Sequence, residues 1–123
     1  MDKFTRIGLL YEFYGALLSR RQREVTALYY DDNLSLAEIA AEFAITRQGV
    51  YDALHSGEQA LEKYENKLGL FARFQKRNEA AEKAYGQLAE IIKKIEEEGP
   101  LDAQALSTDL KAISQAVDAL KEE

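Results

Sequence analysis

The sequence predicts an all-α protein in which a helix-turn-helix bundle is followed by a C-terminal helical hairpin, about six helices in total. Apolar residues recur at steps of three and four along most of the chain, which is the period of an amphipathic helix. Helix-capping residues precede several of these runs. The single proline and the lack of alternating apolar and polar residues argue against β-strands.

The composition is that of a folded protein of modest size. The chain has 123 residues, of which 46% are hydrophobic and 31% charged, so it suits one compact domain with an extension. It contains no cysteine, which excludes disulfides and thiolate metal sites and fits a reducing cytosol. Lys3, Arg6 and Glu12 interrupt the N-terminal apolar run, so we expect neither a signal peptide nor a membrane span and place the protein in the cytoplasm.

The first two helices are predicted from an apolar run and a capping box. Residues 3–18 are apolar on most sides and should form the first helix. Ser19 caps the second helix, with Gln22 three residues later as its capping-box partner. The inward residues of this second helix should be Val25, Leu28 and Tyr29.

The helix-turn-helix is predicted between residues 34 and 68. Ser35 and Glu38 form a second capping box at the start of its first helix. Thr46 caps its second helix, which should run to Leu68. The apolar seam of that second helix advances in steps of four and three and consists of Val50, Leu54, Gly57, Leu61, Tyr64 and Leu68.

The phase of the seam changes at Gly69, which predicts a bend or reversal, although a continuous helix with a stammer is also possible. We therefore divide the chain into a helix-turn-helix domain, residues 1–68, and a C-terminal extension, residues 69–123.

A fifth helix should span residues 70–98 and end before Gly99 and Pro100. Its predicted seam is Ala81, Tyr85, Leu88, Ile92 and Ile95. The seam of the sixth helix is Leu106, Leu110, Ile113, Val117 and Leu120.

The fifth helix carries more apolar surface than the shorter sixth helix can cover. Contiguous surface of this kind usually marks an interface, so we predict a two-fold symmetric homodimer through the C-terminal helices. The predicted interface residues are Phe71, Phe74, Tyr85, Leu88, Ile92 and Ile95.

Two groups of residues are candidates for binding a partner. The first is the basic cluster of Arg20, Arg21 and Arg23, which either contacts a phosphate backbone or is a solvated first turn. The second group lies at the start of the second helix of the motif, where a recognition helix enters a groove. Its members are Thr46, Arg47, Gln48, Tyr51, Asp52 and His55.

The charge balance opposes strong DNA binding. The net charge is −6, whereas DNA-binding domains usually carry a basic face. From Arg47 to Leu68 the acidic residues Asp52, Glu58, Glu62 and Glu65 also outnumber the basic ones. We therefore expect DNA binding to be weak and non-specific, and favour contact with protein or RNA.

No catalytic machinery is evident in the sequence. His55 is the only histidine, and with no cysteine the usual metal sites and nucleophile–base pairs are excluded. We predict no enzymatic activity, no cofactor and no bound metal.

Four runs of residues carry a resemblance to a known family. They are Leu18-Ser19-Arg20-Arg21-Gln22-Arg23-Glu24-Val25, Leu28-Tyr29-Tyr30, Ser35-Leu36-Ala37-Glu38-Ile39-Ala40 and Ile45-Thr46-Arg47-Gln48-Gly49-Val50. Over roughly residues 3–88 the chain resembles region four of bacterial sigma factors, and among such proteins it is most similar to the small YlxM-like family. The resemblance implies a regulatory role linked to the signal recognition particle, through its GTPase or its RNA. The alternative is a transcription regulator that reads DNA with Arg47, Gln48 and Tyr51 while the three arginines contact the backbone.

Overall fold

The computed structural model describes residues 1–97 and 101–121, and the ordered elements in these ranges are all helical. The predicted all-α class with about six helices is confirmed. The α-helices are α1 Lys3–Tyr14, α2 Arg20–Tyr30, α3 Leu36–Phe43, α4 Arg47–Leu68, α5 Leu70–Glu96 and α6 Ala103–Ala119. The predicted stop at Gly99 and Pro100 lies outside the described residues.

Local sequence signals fix the starts of α2, α3 and α4. Both predicted capping boxes are formed, Ser19 with Gln22 and Ser35 with Glu38. The Thr46 hydroxyl accepts a hydrogen bond from the Gly49 N–H at 3.0 Å, as expected for the cap of α4. Each bond satisfies a backbone N–H that has no partner within the helix.

The predicted first helix is too long. The α-helix ends at Tyr14, and a 3₁₀ helix, Gly15–Leu17, follows it. Leu18 then adopts an extended backbone with φ −73° and ψ 154°, which leads into the cap of α2 at Ser19. The chain must leave the helical conformation there because a capping residue has an extended backbone.

The first compact unit is Met1–Phe71, in which α4 packs against α1, α2 and α3. Its core is apolar and combines residues from all of these helices. The core residues are Ile7, Leu10, Tyr14, Leu18, Val25, Tyr30, Ile39, Val50, Leu54, Leu61 and Phe71. The predicted end of the α4 seam is wrong, because Leu68 is 47% exposed while Glu65, four residues after Leu61 on the same face, is buried.

Gly69 separates α4 from α5. Its φ of +63° is a left-handed conformation that glycine adopts without steric cost, and its N–H bonds the Glu65 carbonyl at 2.8 Å. The alternative of one continuous helix is therefore wrong. The first unit extends to Phe71 because the side chain of Phe71 is only 1% exposed in the core of that unit.

The second unit, Ala72–Glu123, contains the rest of α5 and all of α6. Within α5 the buried positions are Ala84 and Ile91, with Ala80 and Gln87 half-buried. The half-buried positions of α6 are Leu106, Asp109, Ile113, Ala116 and Leu120. Lys94 and Asp109, each in phase with one of these seams, form an ion pair at 3.2 Å, which indicates that the two helices pack through these faces.

The predicted seam of α5 is therefore wrong by one residue, since Tyr85, Leu88, Ile92 and Ile95 are all exposed. Spacing favours the stripe with the larger apolar side chains over the adjacent stripe, which contains Ala84, Gln87 and Ile91. The structure buries the other stripe, where the small side chain of Ala84 permits close approach between helices. No helix in the described ranges is long and apolar enough to cross a membrane.

Candidate functional site

The turn between α3 and α4 sets the direction of α4. Ala44 adopts a left-handed conformation with φ 53°, and the Ile45 N–H bonds the Ala40 carbonyl at 3.1 Å. Thr46 then caps α4. In the interior of the motif, Ile39 of α3 and Val50 of α4 are both fully buried, so each of the two helices contributes a residue to the core. The first turns of α4 are thereby left at the surface.

The predicted face of α4 is exposed. Arg47, Gln48, Tyr51, Asp52 and His55 are all at the surface. The Gln48 amide donates to the Asp52 carboxylate at 2.9 Å. The rings of Tyr51 and His55 are stacked, with centroids 5.8 Å apart and 5° between their planes. This surface therefore combines a cation, an amide bonded to a carboxylate, and a parallel pair of rings.

Two acidic residues of α4 form ion pairs with α1, and one of them, Glu58, also lies 3.9 Å from His55 Nδ1 on this face. Glu62 accepts two hydrogen bonds from the Arg6 guanidinium, at 2.8 and 2.9 Å. Glu58 lies 3.4 Å from the Lys3 ammonium, and its carboxylate accepts a hydrogen bond from the Tyr30 hydroxyl. Their charges are compensated within the bundle. The count of acidic residues along α4 therefore overstates the negative charge of its outer face.

Glu65, the third of these residues, is only 7% exposed and joins three helices. One of its carboxylate oxygens accepts from the Tyr14 hydroxyl at 2.6 Å and from the Phe71 N–H at 3.0 Å. The Tyr14 hydroxyl in turn accepts from the Leu70 N–H at 3.0 Å. Burial raises the pKa of Tyr14, and the bond to Glu65 raises it further. This cluster supplies acceptors for the first N–H groups of α5.

The sequence prediction missed the role of Glu65. The available signal was its position on the otherwise apolar seam, four residues after Leu61. An acidic residue there must either be paired or lie outside the core. Its partner Tyr14 is 51 residues away along the chain, so that pairing could not be inferred from local spacing, and the bond from the Phe71 N–H depends on the break between α4 and α5.

The three arginines of α2 interact with different parts of the protein. Arg20 pairs along its own helix with Glu24 at 2.8 Å. The Arg21 guanidinium lies over the Phe43 ring, 4.5 Å from its centroid, and so reaches the end of α3. The charge of Arg23 acts on Tyr11 of α1, whose pKa is raised by burial in spite of it. Only Arg21 is therefore placed directly against the helix-turn-helix.

Contacts between α2 and α4 fix the position of Arg21 relative to the outer face of α4. Gln22 accepts from the Ser19 N–H at 3.0 Å as part of its capping box, and its amide also donates to the Ser56 hydroxyl at 2.7 Å. Thr26, one turn after Gln22 on α2, lies beside Gly57 of α4, and both residues are buried. The basic residue of α2 and the exposed start of α4 thus belong to one packed body, the first unit.

The Arg6–Glu62 pair predicts a pH-dependent part of the stability. The hydrogen bonds from the Arg6 guanidinium lower the pKa of Glu62 below its ordinary value of 4.5. Because the folded pKa is depressed, the stabilisation is present above about pH 4.5 and is lost as the pH falls through the folded pKa. We expect wild-type protein to be more stable than Arg6→Met in urea at pH 7, with the difference shrinking towards pH 3.

Lys63→Met is the matched control for this experiment, because it removes one exposed cation from α4. Its stability relative to wild type should change little over the same range. A difference between wild type and Arg6→Met that stays constant from pH 7 to pH 3 would contradict the assignment.

The predicted interface residues do not share one environment. Phe71 lies in the core of the first unit and has no surface to offer a second chain, because Phe13 and Arg6 pack against its ring. The other members are exposed by 42% to 78%. They are Phe74, Tyr85, Leu88, Ile92 and Ile95.

Across residues 1–97 and 101–121, no group of three or more histidine, aspartate or glutamate side chains could hold a metal ion.

Comparison with known proteins identifies a family match that covers most of the chain. Residues 1–113 match the model of the family UPF0122, described as "Putative helix-turn-helix protein, YlxM / p13 like". A UPF0122 protein of Halalkalibacterium halodurans is 41% identical over 121 residues, which cover 98% of this chain and 99% of that protein. A UPF0122 protein of Lacticaseibacillus casei is 50% identical over 82 residues, covering 67% of this chain and 73% of that protein.

Proposed function

The chain belongs to the UPF0122 family of YlxM/p13-like helix-turn-helix proteins, and we propose that it is a non-enzymatic adaptor of the bacterial signal recognition particle pathway. In this proposal it acts in the cytoplasm and contacts the RNA of the particle through the exposed start of α4. The resemblance to the YlxM-like family suggests the pathway. The geometry of the helix-turn-helix supports the kind of contact.

One observation carries the choice of an anionic partner. Glu58 and Glu62 are paired with cations of α1 and Glu65 is buried, whereas Arg47 is exposed at the start of α4 and Arg21 lies over the Phe43 ring at the end of α3. Cations near the N-terminal end of a helix are well placed to contact phosphate groups. The outer face can therefore attract RNA although the whole chain carries a net charge of −6.

The stacked rings of Tyr51 and His55 favour RNA over a protein partner. Proteins that recognise RNA commonly stack unpaired bases on exposed aromatic side chains. Here the two rings are nearly parallel and lie at the surface one turn apart, next to Gln48 and Asp52, whose polar groups can bond base edges. The site thus offers phosphate contacts and a stacking surface side by side.

The test is a titration of purified protein with fluorescently labelled RNA of the particle. A charged hydrogen bond contributes about 1.5 kcal/mol or more, so Arg47→Ala and Arg21→Ala should each weaken binding about tenfold. Each should also reduce the salt dependence of the affinity by about one ion. Lys63→Ala is the matched control, because it removes one exposed cation from the same helix far from the site.

Equal losses for Arg47→Ala and Lys63→Ala would contradict the proposed site. No binding to the RNA, together with direct binding to the particle's GTPase that Arg47→Ala weakens, would overturn RNA as the partner and leave a protein contact through the same face.

The pairing of Glu58 and Glu62 with α1 also favours a second candidate, a DNA-binding regulator. With these two charges paired, the exposed Arg47 can approach base edges in a major groove, as can Gln48 once its amide leaves Asp52. Selection from genomic fragments at physiological salt distinguishes the two functions. Recovery of one short motif, with binding lost in Arg47→Ala, would support the regulator, whereas weak binding without a motif would support the adaptor.

A further inference from the structure

The fifth helix carries an exposed apolar stripe that α6 does not cover. The stripe consists of Tyr85, Leu88, Ile92 and Ile95, which are 78%, 42%, 48% and 51% exposed. Its steps of three, four and three are the spacing of a coiled-coil seam. It lies beside the buried positions Ala84 and Ile91, so it is a second seam on the same helix. We propose that a second copy of this chain covers the stripe, with the two α5 helices antiparallel.

The charge distribution along α5 selects the antiparallel orientation. The N-terminal end of the helix is basic, with Arg73, Lys76 and Arg77, whereas its C-terminal end mixes Lys93 and Lys94 with Glu96 and Glu97. Antiparallel pairing keeps the two basic ends apart, places each of them beside the mixed end of the partner copy and also aligns the helix dipoles favourably. A parallel pair would bring the two basic ends together, which is unfavourable.

The side-chain sizes are consistent with one antiparallel register. When Tyr85 faces Leu88 of the partner copy, Ala81 faces Ile92 and Asn78 faces Ile95. Each layer then combines a larger with a smaller side chain, as close packing requires. In a parallel pair Ala81 would face Ala81 and leave a gap, while Tyr85 would face Tyr85. The same antiparallel register brings Arg77 level with Glu96 of the partner copy.

The sixth helix also leaves apolar side chains exposed. Leu110 and Val117 are 47% and 42% exposed, although Leu106 and Ile113 of the same helix are half-buried. If the stripe of α5 is covered by a second copy, these residues lie at the edge of a bundle formed by α5 and α6 of both chains. Four-helix bundles of this kind bury both seams of each helix. The dimer does not depend on what the helix-turn-helix binds.

Sedimentation of the full chain at micromolar concentrations tests the association. Wild-type protein should sediment at twice the chain mass of 13.9 kDa, and Leu88→Glu should halve the observed mass. Lys83→Glu, at an exposed position away from the stripe, also adds negative charge and should remain dimeric. Circular dichroism checks that each variant keeps its helix content, and Ile92→Glu is the second variant should Leu88→Glu lose it. A wild-type monomer at these concentrations would overturn the proposal.

Engineered cysteines test the orientation, because the natural chain has none. Positions 78 and 95 lie about 25 Å apart along one helix, so the single variants Asn78→Cys and Ile95→Cys carry their thiols at well-separated points of α5. An antiparallel dimer should form a disulfide on mild oxidation only when the two variants are mixed. A disulfide that forms in Ile95→Cys alone indicates a parallel pair and overturns the antiparallel arrangement. If no disulfide forms in the mixture or in either variant alone, the proposed register is overturned.

Discussion

Replacing Glu65 with alanine is expected to lower the free energy of unfolding by about 3 kcal/mol, because it removes the acceptor shared by two buried donors. The carboxylate accepts from the Tyr14 hydroxyl at 2.6 Å and from the Phe71 N–H at 3.0 Å, and the residue is only 7% exposed. The substitution also leaves a cavity where α1, α4 and the start of α5 meet. Urea denaturation followed by circular dichroism measures the loss.

Two further variants make this prediction specific. Glu65→Gln keeps an oxygen acceptor of similar size and should lose roughly half as much stability, because a neutral acceptor forms a weaker bond. Asn66→Ala, at the neighbouring exposed position, should have little effect. If Glu65→Ala costs no more than Asn66→Ala, the buried network does not stabilise the fold.

Gly57→Ala is expected to destabilise the protein by about 2 kcal/mol, although alanine favours a helix over glycine by about 1 kcal/mol. A Cβ atom at Gly57 would lie 2.8 Å from the Thr26 hydroxyl oxygen and 3.5 Å from the Gln22 Cβ. All three residues lie where α2 crosses α4, so relief of the clash requires the two helices to separate. Gly8→Ala is the control, because a Cβ there meets nothing within 4 Å, and it should stabilise the protein.

Thr26→Ala should rescue Gly57→Ala. The Thr26 hydroxyl is buried and has no hydrogen-bond partner among the described residues, so its removal loses no bond. The double variant should be more stable than the sum of the single effects predicts, by about 1 kcal/mol or more. Strictly additive effects would show that the close approach of α2 and α4 does not limit the side chain at position 57.

Local sequence by itself determined the helices and most of their ends. Ser19, Ser35 and Thr46 each offer a hydroxyl to an N–H three residues later, and Gly69 tolerates the left-handed backbone that ends α4. These contacts join residues within a few positions of one another, so their signals can be read from spacing alone. The same holds for the family resemblance, whose motifs are short runs of consecutive residues.

Only the tertiary structure decided what the charged and apolar surfaces do. The spacing of α4 shows Glu58, Glu62 and Glu65, but their partners on α1 are more than 50 residues away, so counting charges could not show that Glu62 is paired with a cation and that Glu65 is buried against the Tyr14 hydroxyl. Likewise two adjacent stripes of α5 carry apolar residues, and the α6-facing stripe is the one with the small Ala84 and the half-buried Gln87. A helix period fixes which residues share a face, whereas the partner of that face depends on packing between distant segments.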